Sequence, residues 1–193
     1  MKKYLSFAAT PVLLLAAGIA GSHDNHGIIK VEADLKPTSE VPVLSSGASG
    51  SFKATIDTVN QTITYELTYD GLEGTVQQSH IHVGQRSVNG GVSVFLCGNP
   101  PTVPAAAVPQ PPPCPVAMPA TVTGIITPAN IVGPAAQGIA ATTAAANEFA
   151  ELIALLSDGL TYANVHSTKF PGGEVRGQVR RDHFGHKDPH DKD

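Results

Sequence analysis

Strict two-residue alternation of apolar and polar side chains recurs along the early part of this 193-residue chain and leaves little choice of secondary structure. Ile29, Val31, Ala33 and Leu35 alternate with Lys30, Glu32 and Asp34. Phe52, Ala54 and Ile56 alternate with Lys53, Thr55 and Asp57, and Ile63, Tyr65, Leu67 and Tyr69 with Thr62, Thr64, Glu66 and Thr68. Period two marks a strand with one buried face, since successive side chains leave a strand on opposite sides. Thr58-Val-Asn-Gln61 is of hairpin length, so residues 51–69 are predicted to form an antiparallel pair. Further strands are predicted near 76–83, through Val92, Val94 and Leu96, over Thr121–Gly124, and over 161–167 and 174–181. One helix is predicted where Phe149, Leu152, Ile153 and Leu156 fall at i, i+3, i+4 and i+7, with Asn147 as its cap and Gly159 as its end. Thr127-Pro128 opens a short helical turn that Gly133 closes. Seven or eight short strands with one or two short helices predict a mainly β fold, an antiparallel β-sandwich or flattened Greek-key barrel.

The N-terminus reads as an export signal. Lys2 and Lys3 precede an apolar run from Leu5 to Ala20, and small residues follow at Gly21 and Ser22. A charged start, a short apolar middle and a small-residue end describe a secretory signal peptide over residues 1–22. The run contains Pro11 and is short for a membrane span, so no span is expected in the mature chain. Residues 23–27 then form a flexible leader, 28–181 a single β domain, and 182–193 a disordered tail of His, Asp and Lys. The localisation expected is secreted or periplasmic. Cys97 and Cys114 suit such an oxidising compartment and are expected to pair. Residues 98–121 carry nine prolines, so they read as an irregular surface insertion stapled at Cys114. The net charge of −4 is spread along the chain, which argues against nucleic acid and anionic membranes as partners.

Three of the eight histidines fall within predicted strands. His80 and His82 share one face of Ser79-His-Ile-His-Val-Gly84, with Ile81 and Val83 on the other. His166 shares a polar face with Tyr162 and Asn164, opposite Ala163 and Val165. If the apolar sets face one core, all three imidazoles look outward from the same wall. Imidazoles at i and i+2 are close enough to ligate one ion, a neighbouring strand can add the third, and imidazole suits zinc, copper or nickel. The other reading is two polar strand faces whose histidines are satisfied by hydrogen bonds to Glu174, Asn164 or backbone carbonyls. Asn164, Glu174 and Arg176 lie on the same predicted face as His166. They read either as supports, a carboxylate orienting an imidazole and a guanidinium ready for an anion, or as a surface ion pair of Glu174 with Arg176. His23, His26, His183, His186 and His190 lie in the leader and tail and read as solvated residues. No catalytic constellation emerges. Ser79 and Ser167 each adjoin a histidine directly, so on a strand the two side chains point apart.

Glu40-Val-Pro42, His80-Ile-His-Val-Gly84, Tyr162-Ala-Asn-Val-His166 and Pro171-Gly-Gly-Glu-Val-Arg-Gly-Gln178 occur in the order typical of the CHRD domain, the module named for chordin. The resemblance spans about residues 28–181 and implies a secreted β-rich module; in chordin-like proteins such modules accompany growth-factor binding. Val43 stands where a second proline is common. His80-Ile-His-Val-Gly84 also resembles the His-x-His pair of copper/zinc superoxide dismutase, but that enzyme's bridging histidine, further zinc ligands and aspartate have no counterparts inside this fold. The leading functional expectation is therefore a non-enzymatic secreted binding module of unknown ligand, acting through the face that carries the two histidine motifs. The alternative is a small exported copper- or zinc-binding metalloprotein with a three-histidine site open to redox chemistry.

Overall fold

The computed structural model describes residues 27–103, 109–141 and 146–182. The predicted signal peptide, the leader before Gly27 and the five leader and tail histidines lie outside the described residues. The alternating segments form strands where expected. β1 (Ile28–Leu35), β2 (Ser49–Asp57) and β3 (Thr62–Asp70) are joined in register by antiparallel ladders, and β3 also pairs with β6 (Ala120–Ile126). A second sheet holds β5 (Gly91–Gly98), β4 (Val76–Val83), β7 (Thr161–Ser167) and β8 (Val175–Gln178) in that order. The first sheet runs β6-β3-β2-β1-β9, where β9 is Arg180–Arg181. The molecule is thus an antiparallel β-sandwich of five and four strands. Among the described residues no helix is long and apolar enough to cross a membrane.

The core lies between the inner faces. Phe52, Ile56, Ile63 and Leu67 of one sheet are buried with Ile81, Val94, Leu96, Ala163 and Val165 of the other. Tyr65 spans the interface, its hydroxyl donating to the Leu96 carbonyl. α1 (Ala146–Ser157) adds Phe149, Leu152 and Leu156 to this core. It begins at Ala146, so Asn147 lies in its first turn rather than at its cap. The predicted stop holds: Gly159 adopts φ 72° and Leu160 N–H donates to Leu155 O at 2.9 Å. That left-handed terminator satisfies a carbonyl the last helical turn leaves free.

Residues 174–181 were expected as one strand and are divided between the two sheets. β8 pairs with β7 from Tyr162↔Gln178 to Val165↔Val175, whereas Arg180 and Arg181 pair with Glu32 and Val31 of β1. Crossing from one sheet to the other does not interrupt the alternation, so sequence periodicity does not register it. Gly177 sits at the crossing, where a Cβ would come within 2.3 Å of the Asp34 carbonyl oxygen. Beyond the end of β1, Lys36 bridges Arg176 of β8 through two backbone hydrogen bonds of 2.9 and 3.2 Å. The first and last strands therefore meet, and the chain leaving Lys36 is carried over the outer face of the four-stranded sheet.

Between the end of β5 at Gly98 and the start of β6 at Ala120 the proline-rich segment forms no helix or strand among its described residues, as its composition dictates. Cys97 on β5 is bonded to Cys114, and the Asn99 side chain clips both the N–H and the C=O of Cys114 at 3.0 Å. A closed loop of this sequence separation, 17 residues, is worth about 3 kcal/mol in the chain-entropy view of cross-links. Replacing both cysteines by alanine is expected to lower unfolding stability by about that amount while leaving the β-sheet circular dichroism intact, read by urea denaturation.

Candidate metal centre

The register of β4 on β7 decides which side chains meet. His80 lies opposite Asn164, His82 opposite Tyr162 and Gln78 opposite His166. His166 is therefore diagonal to His80 on one face, and the three imidazoles converge: ring centroids lie 4.8 Å apart for His80–His166, 5.3 Å for His80–His82 and 6.4 Å for His82–His166. One nitrogen from each ring lies within 4.8 Å of the others. Ions bound by imidazole sit about 2.0–2.1 Å from nitrogen, so one ion among these three rings would require the nitrogens to draw somewhat closer.

The face was expected to look outward, and in orientation it does. Exposure differs: His80, His82 and His166 are 3%, 8% and 6% exposed. Three segments return over the sheet and roof it: the turn through Pro37–Ser39, the β4–β5 loop, and the β7–β8 loop. Alternation reports which side of a sheet a residue occupies, not whether loops come back to cover that side. Phe95 of β5 packs edge-on against His80 at 4.5 Å, and Tyr162 stacks flat on His82 at 4.6 Å.

The roof also sets how each ring is held. His82 Nδ1 meets the Gly90 carbonyl at 2.9 Å, and His166 Nδ1 meets the Pro171 carbonyl at 2.9 Å. A carbonyl only accepts, so each Nδ1 carries the proton and each Nε2 presents a bare lone pair. Among the described residues no group partners Nε2 of His82, Nε2 of His166 or either nitrogen of His80. Four buried ring nitrogens without protein partners, gathered in one cluster, are costly to leave unpaired. Burial holds all three imidazoles neutral. His80 falls far below the ordinary histidine value, with the neighbouring His166 and His82 adding to the effect. His82 falls to about 4, chiefly by burial and against the Gly90 hydrogen bond. His166 is lowered for the same reason, against the Pro171 carbonyl.

The proposed supports are arranged differently from expectation. Asn164 lies opposite His80 on β7, its amide adjoining both Glu40 and His82. Glu174 is buried, but its Oε1 accepts the Glu73 N–H at 2.7 Å and no bond joins it to an imidazole among the described residues. Arg176 is 2% exposed and forms no ion pair with Glu174. Its guanidinium lies 3.4 Å from the Tyr162 ring centre and donates to Asn89 Oδ1 at 3.1 Å, Val88 O at 2.8 Å and Gln85 O at 3.4 Å. Arg176 is a buried tie that fastens the β4–β5 loop over the site, not half of a surface ion pair.

Sequence reasoning gave Glu40 no site role, although it opens the first of the four motifs. Pro37–Ser39 turns the chain after Lys36, and the Glu40 N–H closes that turn on Pro37 O at 3.1 Å. The buried carboxyl then reaches the β7–β8 loop at Gly173. There φ is +124° and a Cβ would lie 2.4 Å from Glu40 Oε1, so glycine is required on both counts. Burial raises the Glu40 carboxyl to about 7, against the Arg176 charge and the nearby Val41 N–H and Asn164 amide.

The model of the CHRD domain matches residues 31–179. The chain belongs to the CHRD family. No curated protein and no solved structure matches it significantly. The CHRD match takes in every strand pair that builds the three-histidine cluster, together with Glu40 and the roofing loops.

These protonation shifts set a pH dependence for the metal-free CHRD protein. The histidines are depressed in the folded state, so the unfolded chain takes up protons first, and their contribution is lost as pH falls below about 6.5. Glu40 is raised from 4.5 to about 7, so its contribution is lost in the opposite direction, as pH climbs through that window. Three groups outweigh one. Stability of chelator-treated protein is expected to fall between pH 6.5 and 4.5, by up to about 1.4 kcal/mol per pH unit for each net proton. In His80→Gln/His82→Gln/His166→Gln the slope should flatten or reverse, measured by urea midpoints across that range.

Proposed function

We propose that this CHRD protein is an exported binding module whose ligand is a transition-metal ion, copper or zinc, held by His80, His82 and His166. The observation that carries the reading is the set of buried imidazole nitrogens. Nδ1 of His82 and His166 is engaged by backbone carbonyls, leaving Nε2 of each deprotonated and without a protein partner among the described residues. Fixing the distal nitrogen so that the proximal one presents a lone pair is how metal-binding histidines are oriented. Imidazole donors select zinc or copper over calcium and magnesium, which take oxygen ligands. Both described cysteines are in the disulfide, so thiolate ligation plays no part. That disulfide also favours an oxidising compartment, in keeping with secretion or a periplasmic location.

Burial of the rings bears on the partner question too. A macromolecular partner cannot touch imidazoles this covered, so contact with one would run through the roofing loops rather than the histidines themselves. Three neutral ligands leave the ion's charge uncompensated within the cluster. The roof of aromatic rings and backbone carbonyls then strengthens every electrostatic interaction the ion makes.

Titration of chelator-treated protein with zinc and with Cu(II), by calorimetry, should give one saturable site per chain. His80→Ala/His82→Ala/His166→Ala should lose it. At free metal a hundred-fold above Kd, the wild type should gain about 2.7 kcal/mol of unfolding stability. Equal, weak binding by both proteins would sink the proposal.

A further inference from the structure

Two buried acceptor oxygens beside the histidines are as unexplained as the ring nitrogens. Glu40 is 7% exposed and Asn164 2%, and neither Glu40 Oε1 nor Asn164 Oδ1 has a hydrogen-bond partner among the described residues. The two side chains are neighbours, for a Cβ placed on Gly173 would touch Glu40 Oε1 at 2.4 Å and the Asn164 amide nitrogen at 3.0 Å. Asn164 in turn lies opposite His80 across the β4–β7 ladder. Two orphaned acceptors therefore stand next to a cluster of three orphaned donors to metal.

Glu40 also faces the outside. With Thr38, Ser39, Arg86, Ser87 and Arg176 it lines a cleft of about 140 Å³, whose rim includes the exposed Arg86 and Ser87. A water molecule occupies about 30 Å³ in the liquid, so the cleft admits several. On its inner side Glu40 meets Asn164 and the site; on its outer side it meets solvent.

An ion held by three protein nitrogens keeps a fourth position, and a water there carries two protons. We propose that Glu40 and Asn164 hold an exchangeable water on the metal, accepting one hydrogen bond at each of the two orphaned oxygens, and that this ligand exchanges through the Glu40 cleft. The inference rests on the three-histidine reading. It assigns Glu40 a positioning role and makes the site open to one small external ligand rather than fully closed by protein. A structural metal site fills its coordination with side chains, whereas a site holding a replaceable water can take a small molecule in its place. Glu40 sets which ones: an acceptor at that spot favours a ligand that donates and disfavours an anion.

The test uses the full-length protein loaded with Cu(II). In water labelled with the magnetic oxygen isotope, electron–nuclear double resonance of the wild type should show a directly coupled oxygen. Stoichiometric copper without that coupling would overturn the proposal. Azide replaces bound water and gives a charge-transfer band. Glu40→Gln removes the negative charge and offers an amide donor in nearly the same shape, so it should bind azide about ten-fold more tightly than wild type. Unchanged azide affinity in a folded, copper-loaded Glu40→Gln would overturn the role given to Glu40. If that variant fails to fold by circular dichroism, Glu40→Asp, which draws the carboxylate back from Asn164, should weaken the oxygen coupling, and an unaltered coupling would count against the assignment. Failure of the wild type to take up copper or zinc is a different result and overturns the three-histidine reading itself.

Discussion

The site depends on one buried guanidinium. Arg176 donates to Asn89, Val88 and Gln85, lies against Tyr162, carries the main-chain bridge to Lys36 and faces the Glu40 carboxyl. A guanidinium taken out of water needs partners for its many donors, and a single unpaired one is expensive. Here that demand is met by backbone carbonyls of a loop that has no strand of its own. Arginine's flat fork suits this role in a way that lysine's point charge does not. Because the same residue reaches the β4–β5 loop, the chain after β1 and the Tyr162 ring, the roof closes as a unit over the histidines.

The polar chamber beneath runs against the rest of the molecule. Elsewhere in the sandwich apolar residues face inward and Tyr65 and Tyr69 are given acceptors, the hydroxyls of Ser93, Ser157 and Thr161 being scattered exceptions. Tyr69, for example, donates from an apolar setting to Pro115 O, and burial raises its hydroxyl to about 12. Under the roof, ring nitrogens and two side-chain oxygens are withdrawn from water without protein partners among the described residues. Local violations of polar satisfaction concentrate where a protein has something to bind. The two carbonyl contacts, from Gly90 and Pro171, show that the violation is organised, since each fixes a tautomer.

Much of the fold was legible because strand phase is written directly in residue type. The β2–β3 hairpin, the shared face of His80, His82 and His166, and the Gly159 stop all follow from period and turn chemistry. What could not be read was what lies above a face. Polar residues on a strand imply solvent only if no loop returns, and the returns here are set by contacts between segments far apart in sequence. A surface ion pair stays open for Arg176 for that reason, and Glu40 has no site role from its pattern alone. Its presence in one of four ordered motifs was the available signal: a turn needs proline, but it has no need of a carboxylate. The helix start at Ala146 and the division of residues 174–181 show the smaller limits of pattern, namely ends and partners.

The pairing of β9 with β1, and of Lys36 with Arg176, places the beginning and end of the fold side by side. Contacts spanning nearly the whole domain are slow to form, because the intervening chain must first be drawn together. A polypeptide made from its N-terminus therefore has β1 available long before β8 and β9 exist, and the site residues Glu40 and Arg176 meet only at the last stage. Strand pairs within residues 28–126 need none of the later chain, but the chain acquires its binding site only once its final strands have emerged.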